Sequence, residues 1–368
     1  MSIQFGPEYV RALAPYQGGK PIAEVAREYG LDEASIVKLA SNENPLGMPE
    51  SARLAMLAAM ADIGRYPDAN GFALKAAITA KYGVPQEWIT LGNGSNDILE
   101  LCAHAFVQPG QGVMYSQYSF AVYALAAQAV GASAQVVPTQ AYGHDLEAML
   151  AAVTDSTRLV YIANPNNPTG TFVPAAAIEA FLTRVPARVV VVLDEAYNEY
   201  LPAAVQYESI GWVQRFPNLL VSRTLSKAYG LAGLRVGFGI AQPGITDLLN
   251  RIRQPFNVNS MAQAAAIAAL NDTQFLQRSA ALNSAGYTQL TTAFETLGLE
   301  YVPSFGNFVL VRVGTEDTAG ARVNLALLRL GVIVRPVGNY GLPQWLRVTI
   351  GLPEENAIFL AALQQALG

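Results

Sequence analysis

The chain places its most reactive side-chain types in four short segments, each just after an apolar run. The richest is Arg223-Thr224-Leu225-Ser226-Lys227, followed by Gly230, Gly233 and Arg235. Two hydroxyls and a guanidinium there can hold a phosphate, because arginine presents a planar fork of donors. A lone lysine is ordinarily a solvated surface residue; in this company Lys227 reads as a reactive amine. Asp194-Glu195-Ala196-Tyr197 follows the run Val189–Leu193. A carboxylate at the end of a buried strand is costly unless it meets a cation or hydrogen-bond donors. A capping or salt-bridging aspartate is the plainer alternative.

The other two segments are rich in glycine and asparagine. Gly92-Asn93-Gly94-Ser95-Asn96-Asp97 precedes a helical stretch. Glycines let the backbone approach a ligand, and free N–H groups at a helix start favour phosphate. A tight turn with an Asn or Asp cap explains the segment equally well on its own. A dinucleotide fingerprint fits poorly, since Asp97 stands at its third glycine position. Asn164-Pro165-Asn166-Asn167-Pro168-Thr169-Gly170 fixes its backbone with two prolines and offers amide side chains. Alone it would be an ordinary turn; its place after another strand makes it a candidate site.

These segments need a scaffold that brings strand ends together. The pattern predicts strands over Trp88–Leu91, Gly112–Tyr115, Ser133–Val137, Arg158–Ile162, Val189–Leu193 and Leu219–Ser222. Helices are predicted over Asn96–Val107, Ser119–Ala129 and Pro174–Thr183, the last with proline at its start. Continuously apolar runs such as RLVYI and RVVVVL fit strands covered on both faces, as in a mostly parallel sheet. Such an α/β sheet collects ligands at the carboxyl ends of its strands. After about Ile245 a long helical region, Ser260–Leu297, precedes strands near Asn307–Val313, Val332–Val334 and Leu346–Ile350. A helix near Ala319–Leu330 and a final one opened by Pro353 complete a second, α+β unit. The expected division is an N-terminal arm (1–37), a large α/β domain (38–258) and a smaller α+β domain (259–368).

Composition narrows the partners. With 23 basic against 28 acidic residues and no stripe of Lys or Arg, nucleic acid and anionic membrane are not expected. The single cysteine, Cys102, excludes an intrachain disulfide, and it sits in an apolar run as a packed residue. His104 and His144 lack zinc-ligand spacing. Residues Met1 to Lys20 lack the apolar core of a signal peptide, and no run approaches the ~20 apolar residues of a membrane span. The expectation is a soluble cytoplasmic protein. Hydrophobic residues at 52% and charged residues at 14% hint at a homo-oligomer.

Taken together, the segments resemble fold-type I pyridoxal-phosphate-dependent aminotransferases, and within them the histidinol-phosphate aminotransferase family. The resemblance spans nearly the whole chain. It includes KLASNENPLG from Lys38 to Gly47, Arg65-Tyr66-Pro67-Asp68, NPNNPTG, DEAY, SRTLSKAYGLAGLRVG, GVIVRP and LRVTIG. It implies pyridoxal 5'-phosphate as cofactor, carried by Lys227. Asp194 would face the ring nitrogen, with Asn167 and Tyr197 at the ring 3-hydroxyl and Tyr118 stacked on the ring. Gly94, Ser95, Asn96, Thr224, Ser226 and Arg235 would cradle the phosphate. Tyr66 would reach that phosphate from a second subunit, which implies a homodimer with shared sites. Arg347 would clamp a substrate carboxylate; Arg335, Tyr16 and Asn44 would also contact substrate.

The implied reaction moves an amino group between histidinol phosphate and 2-oxoglutarate. An aromatic (Phe/Tyr) aminotransferase keeps the mechanism and changes the substrate. A phosphothreonine decarboxylase, which is a lyase, and a non-catalytic regulator of the same fold are the other readings.

Overall fold

The computed structural model describes residues 5–16 and 18–368. In chain order the strands begin with β1 (Val37–Lys38), β2 (Ile89–Gly92), β3 (Gly112–Ser116), β4 (Ser133–Val137) and β5 (Thr157–Ala163). They continue with β6 (Val190–Asp194), β7 (Leu219–Thr224), β8 (Gly237–Ala241), β9 (Tyr301–Val302) and β10 (Phe308–Arg312). The last three are β11 (Val332–Ile333), β12 (Arg335–Pro336) and β13 (Trp345–Thr349).

Seven strands form one sheet in the order β2-β8-β7-β6-β5-β3-β4. Neighbours from β7 to β4 pair in parallel, whereas β8 runs antiparallel to both β7 and β2. The continuous apolar runs arise because both faces are covered. Alternate residues feed two separate cores: Val160, Ile162, Val191 and Leu193 enter one, Leu159, Tyr161, Val192 and Leu220 the other. Helices Phe72–Tyr82, Ala175–Arg184 and Ser260–Asn271 cover the first face, through Leu74, Ile178 and Ala265. Helices Ser95–Phe106, Ala121–Ala129 and Pro243–Ile252 cover the second, through Ile98, Val122 and Leu249. Each such side chain, fully buried, contributes about 1.5–3 kcal/mol relative to exposure.

A second, antiparallel sheet has the order β12-β13-β10-β9, and β1 pairs in parallel with β11. Val37 and Leu39 share a core with Val309, Val348 and Phe359. By packing, residues 37–40 therefore belong with the C-terminal sheet, not with the body that the sequence reading starts at Lys38. The helix Ile22–Tyr29 buries Val25 and Ala26 against Leu328 and Ile333.

The expected single helical region from Ser260 to Leu297 is two helices, Ser260–Asn271 and Thr273–Thr296. Asp272 leaves helical geometry (φ −87°, ψ 74°), and its carboxylate accepts hydrogen bonds from Phe275 N at 3.0 Å and Ser51 Oγ at 2.8 Å. An N-cap aspartate starts a new helix without any proline or glycine. Pro353 opens the final helix, Pro353–Leu367, as its sequence position predicts. Among the described residues, no helix is long and apolar enough to cross a membrane, and no three His, Cys, Asp or Glu side chains gather for a metal.

Strand β8, Gly-Phe-Gly-Ile-Ala, lacks a clear strand signature because glycine disfavours strands. Its first glycine is required by close packing. A Cβ on Gly237 would lie 2.6 Å from Ser95 N, 2.8 Å from Gly94 C and 2.9 Å from Arg223 O, all backbone atoms. On Gly239 it would meet the flexible ends of Ile98 and Leu220 at 3.1 Å or more. Gly237→Ala is expected to lower stability by about 1–3 kcal/mol, as overpacking does, and Gly239→Ala by clearly less. Urea denaturation of both variants checks this; equal loss would contradict the backbone clash.

Candidate active site

The carboxyl ends of β2, β3, β5, β6 and β7 open onto one cavity of about 350 Å³, lined from successive loops by Ser95, Phe120, Asn167, Asp194 and Lys227. Parallel pairing sets this convergence: Ala163 is in register with Asp194, and Asp194 with Ser222. Thr224 in turn pairs with Gly237, which pairs with Gly92. A slip of one residue would turn these side chains to the other face of the sheet.

The Lys227 amine donates to Ser41 O at 3.0 Å and lies 5.9 Å from the Tyr197 ring centroid. Burial, reinforced by the nearby Arg347 guanidinium, pushes its pKa down to about 7. Asp194 is 5% exposed, and its Oδ2 accepts a hydrogen bond from the Tyr123 hydroxyl at 2.8 Å. Its Oδ1 is buried with no partner among the described residues. Burial raises this carboxyl to about 6, partly opposed by the Tyr123 hydroxyl. The site thus holds an amine that loses its proton near neutrality and a carboxylate with one oxygen unused.

At one end of the cavity sits an anion cradle. Ser95 begins a twelve-residue helix whose first N–H groups are open to a ligand. Arg235, at φ +60°, donates to Ser226 Oγ at 3.2 Å and Ala232 O at 3.0 Å. Thr224 Oγ1 accepts from Ser226 N at 3.1 Å. Ser95, Asn96, Thr224, Ser226 and Arg235 all line the cavity. Gly94 stands behind them at φ +84°, where a Cβ would collide with the Arg235 guanidinium.

At the other end two arginines meet. Arg335 and Arg347 are direct cross-strand partners on β12 and β13, and both are buried. Like charges placed opposite each other are unfavourable in a sheet, and both of these side chains line the cavity. Arg347 donates to Asn167 Oδ1 at 2.6 Å and to Ala40 O at 2.7 Å. The Arg335 guanidinium lies 5.6 Å from the Tyr16 ring centroid. Tyr16 lines the cavity while remaining half exposed. Tyr197 is buried, and its hydroxyl accepts from Asn42 Nδ2 at 2.9 Å.

Three expected site residues lie elsewhere. Tyr118 does not line the cavity: it stacks on Tyr142 at 6.1 Å and packs with Trp345 and Leu342 under the second sheet. Phe120, two positions on, takes the place beside the cavity, with Tyr123 one helical turn beyond. Asn44 also does not line it. Its Nδ2 donates to Ala228 O at 2.9 Å and Ser279 Oγ at 2.8 Å, so it ties the 42–46 loop to the chain after Lys227. Tyr66 is 82% exposed, stacked on Phe256 and outside this chain's cavity.

Ser41, Asn42, Phe120 and Tyr123 are among the lining residues that the sequence does not mark as site residues. Asn42 carried a faint signal, being an asparagine that adopts φ +54° inside SNENP. A second chamber of about 730 Å³ adjoins the first and shares Tyr16, Phe120 and Arg335 with it. Its walls include Leu125, Leu328 and Ile333 beside Lys20 and Asn339.

Residues 34–363 match the family model described as aminotransferase class I and II. Histidinol-phosphate aminotransferase 2 of Ralstonia nicotianae is 75% identical over 367 residues, covering 100% of this chain and 98% of the relative. Histidinol-phosphate aminotransferase 1 of Cupriavidus pinatubonensis is 74% identical, covering 99% and 97%. Among solved structures, histidinol-phosphate aminotransferase from Sinorhizobium meliloti in complex with pyridoxal-5'-phosphate superposes with a TM-score of 0.92 at 29% identity, covering 100% and 98%. Thermus thermophilus aspartate aminotransferase with maleate has the same fold, at TM-score 0.83, 22% identity and 99% coverage of both chains. On the match across residues 34–363 and these identities, the chain belongs to the class I and II aminotransferase family.

Proposed function

We propose that the chain transfers an amino group between L-histidinol phosphate and 2-oxoglutarate with pyridoxal 5'-phosphate as cofactor, as a cytoplasmic homodimer in histidine biosynthesis. One observation carries this reading: a buried amine with a pKa near 7 shares a cavity with an unpartnered Asp194 oxygen, an anion cradle and two buried arginines. The two highly identical relatives bear that enzyme's name, and the Sinorhizobium meliloti structure contains that cofactor.

The residues present fit the cofactor. Asp194 Oδ1 suits a protonated ring nitrogen, and Ser95, Asn96, Thr224, Ser226 and Arg235, backed by Gly94, suit its phosphate. Asn167 and Tyr197 suit the ring hydroxyl, since Asn167 keeps its Nδ2 and Tyr197 its hydroxyl proton. Phe120 offers the ring face. When bound, pyridoxal phosphate supplies an aldehyde for the amino group and an electron-poor ring that stabilises negative charge at the substrate carbon.

The chain's own groups do the remainder. Lys227, neutral in about half of molecules near pH 7, can accept the proton from the substrate carbon and return it. Positioned bases of this kind contribute about 10²–10⁴-fold. Asp194 stays ionised at neutral pH because its pKa is about 6, so it favours a protonated ring nitrogen. Arg347, fixed by Asn167 and Ala40, can grip a carboxylate with parallel hydrogen bonds. Arg335 would meet the substrate phosphate, which lies one methylene from the reacting carbon, and the second chamber that it borders with Tyr16 leaves room for the imidazole on the other side. Residues 41–258 would bind cofactor, and the C-terminal sheet would supply the arginines. Exposed Tyr66 and Phe256, with Leu54, Leu57, Met60 and Ile63 nearby in sequence, form the face proposed to meet the second subunit.

Mixing the pyridoxal-phosphate-loaded protein with histidinol phosphate, phenylalanine, tyrosine or phosphothreonine, and following cofactor absorbance, tests the substrate. Histidinol phosphate should convert the cofactor to its amine form much faster than the others. Faster conversion by the aromatic amino acids would move the protein to aromatic transamination and remove the phosphate role of Arg335.

Covalent attachment of pyridoxal phosphate to the cofactor-free protein requires the neutral amine. Its rate should therefore rise with pH through a midpoint near 7, following Lys227, and vanish in Lys227→Ala. A midpoint near the ordinary lysine value would contradict the buried amine.

Lys227→Ala and Tyr66→Ala chains, each with little activity, should regain activity when unfolded and refolded together, since one site of the mixed dimer is then intact. No recovery in mixed dimers would argue against shared sites.

A further inference from the structure

We propose that Tyr123 is a positioning residue for the cofactor: its hydroxyl occupies one oxygen of Asp194 and so presents the other to the ring nitrogen. This rests on the cofactor reading above and adds a residue to it. The Tyr123 hydroxyl is 2.8 Å from Asp194 Oδ2, and Oδ1 is the buried oxygen left without a partner. A carboxylate whose two oxygens were both open could rotate; one held by a buried donor points in one direction.

Tyr123 itself has no freedom to follow. Its ring is fully buried and stacks on Tyr161 with centroids 4.6 Å apart and planes 5° apart. The Tyr161 hydroxyl donates to Leu99 O at 2.6 Å, away from Asp194. Phe120 meets Tyr123 edge-on at 6.0 Å and 89°. The backbone of Asp194 is set independently, because its carbonyl accepts from Asn164 N at 2.9 Å.

The arrangement also links two features of the site. Phe120 caps the helix Ala121–Ala129, and Tyr123 lies in its first turn. Residues three apart share a helix face, so the aromatic wall of the cavity and the holder of the carboxylate move as one piece. The hydroxyl also opposes the effect of burial on Asp194 by favouring its ionised form, which is the form a protonated ring nitrogen requires.

The test is a double-mutant cycle on pyridoxal phosphate binding, read by quenching of protein fluorescence and by the absorption bands of the bound cofactor. Tyr123→Phe keeps the stacked ring and removes only the hydroxyl. It should keep the wild-type melting temperature within a few degrees and weaken cofactor binding about tenfold, the usual scale for a hydrogen bond to a charged group. It should also shift the cofactor bands. In an Asp194→Asn background the same change should alter binding by less than twofold, since the group it acts through is gone. Tyr161→Phe, which removes the neighbouring buried hydroxyl, should leave binding and bands unchanged.

An equal loss in both backgrounds, or an equal effect from Tyr161→Phe, would assign Tyr123 a packing role and overturn the proposal. So would a folded Tyr123→Phe protein with wild-type binding and bands. A wild-type protein that takes up no pyridoxal phosphate would overturn the cofactor reading along with it.

Discussion

Lys227 brings an amine into the interior and meets there a carbonyl, Ser41 O, at hydrogen-bond distance. Removing an ammonium from water costs several kcal/mol unless a counter-charge answers it. The carboxylates that act on it, Glu43 and Asp194, only partly offset burial and the neighbouring Arg347 and Arg235. Asp194 is bound by Tyr123 on one oxygen, and Glu195 is held by Arg223 at 2.6 Å, with Glu199 at 3.4 Å from the same guanidinium. Arg223 and Glu195 each adjoin a site residue, Thr224 and Asp194, and strand alternation turns them to the opposite side. Their ion pair ties β6 to β7 without charging the cavity. The Lys227 amine is left to lose its proton near neutrality.

The same burial weighs on stability in opposite directions. Lys227 has a folded value of about 7, below its ordinary 10.5, so its cost to folding is full below 7 and fades as pH rises toward 10.5. Asp194 is raised to about 6 from 3.8, so its cost is full above 6 and fades as pH falls toward 3.8. Between 6 and 7 the fold carries both nearly in full. A ligand offering a cationic nitrogen to Asp194 and a carbonyl carbon to Lys227 relieves both at once. The cost of burying these two groups is therefore directed at the chemistry the cavity is built to bind.

Sequence legibility followed the same physics. Strands covered on both faces, such as β5 and β6, announce themselves as unbroken apolar runs, and the polar residue that follows each marks the cavity; Asp194, Asn167 and Lys227 are legible on that ground. β8 was not, because Gly237 is dictated by the backbone of residues 94, 95 and 223, far away in sequence. Tyr118 and Phe120 are both aromatic and differ only in where the chain turns into the helix Ala121–Ala129, which spacing alone does not define. Asn44 is ambiguous in sequence for a related reason: a buried amide that braces the loop and one that touches substrate look alike until partners are known. Its partners, Ala228 O and Ser279 Oγ, make it a brace for the segment carrying Lys227.

The two arginines open onto different spaces, Arg347 onto the first chamber and Arg335 onto both, and the proposed reaction gives that difference a use. Arg347 is anchored on both terminal nitrogens, by Asn167 and Ala40 O, and sits over Phe308. Arg335, its neighbour across the ladder, lies against Tyr16, a half-exposed residue of the N-terminal segment that also borders the second chamber. A fixed arginine suits a carboxylate at a constant distance from the reacting carbon. An arginine that also faces an adjoining chamber suits an anion whose distance varies. Histidinol phosphate carries its phosphate on the methylene next to the reacting carbon, whereas 2-oxoglutarate carries one carboxylate directly on that carbon and a second two methylenes away. An enzyme that takes each in turn needs one cation for the anion nearest the reacting carbon and a second beside open space, so that both lengths fit.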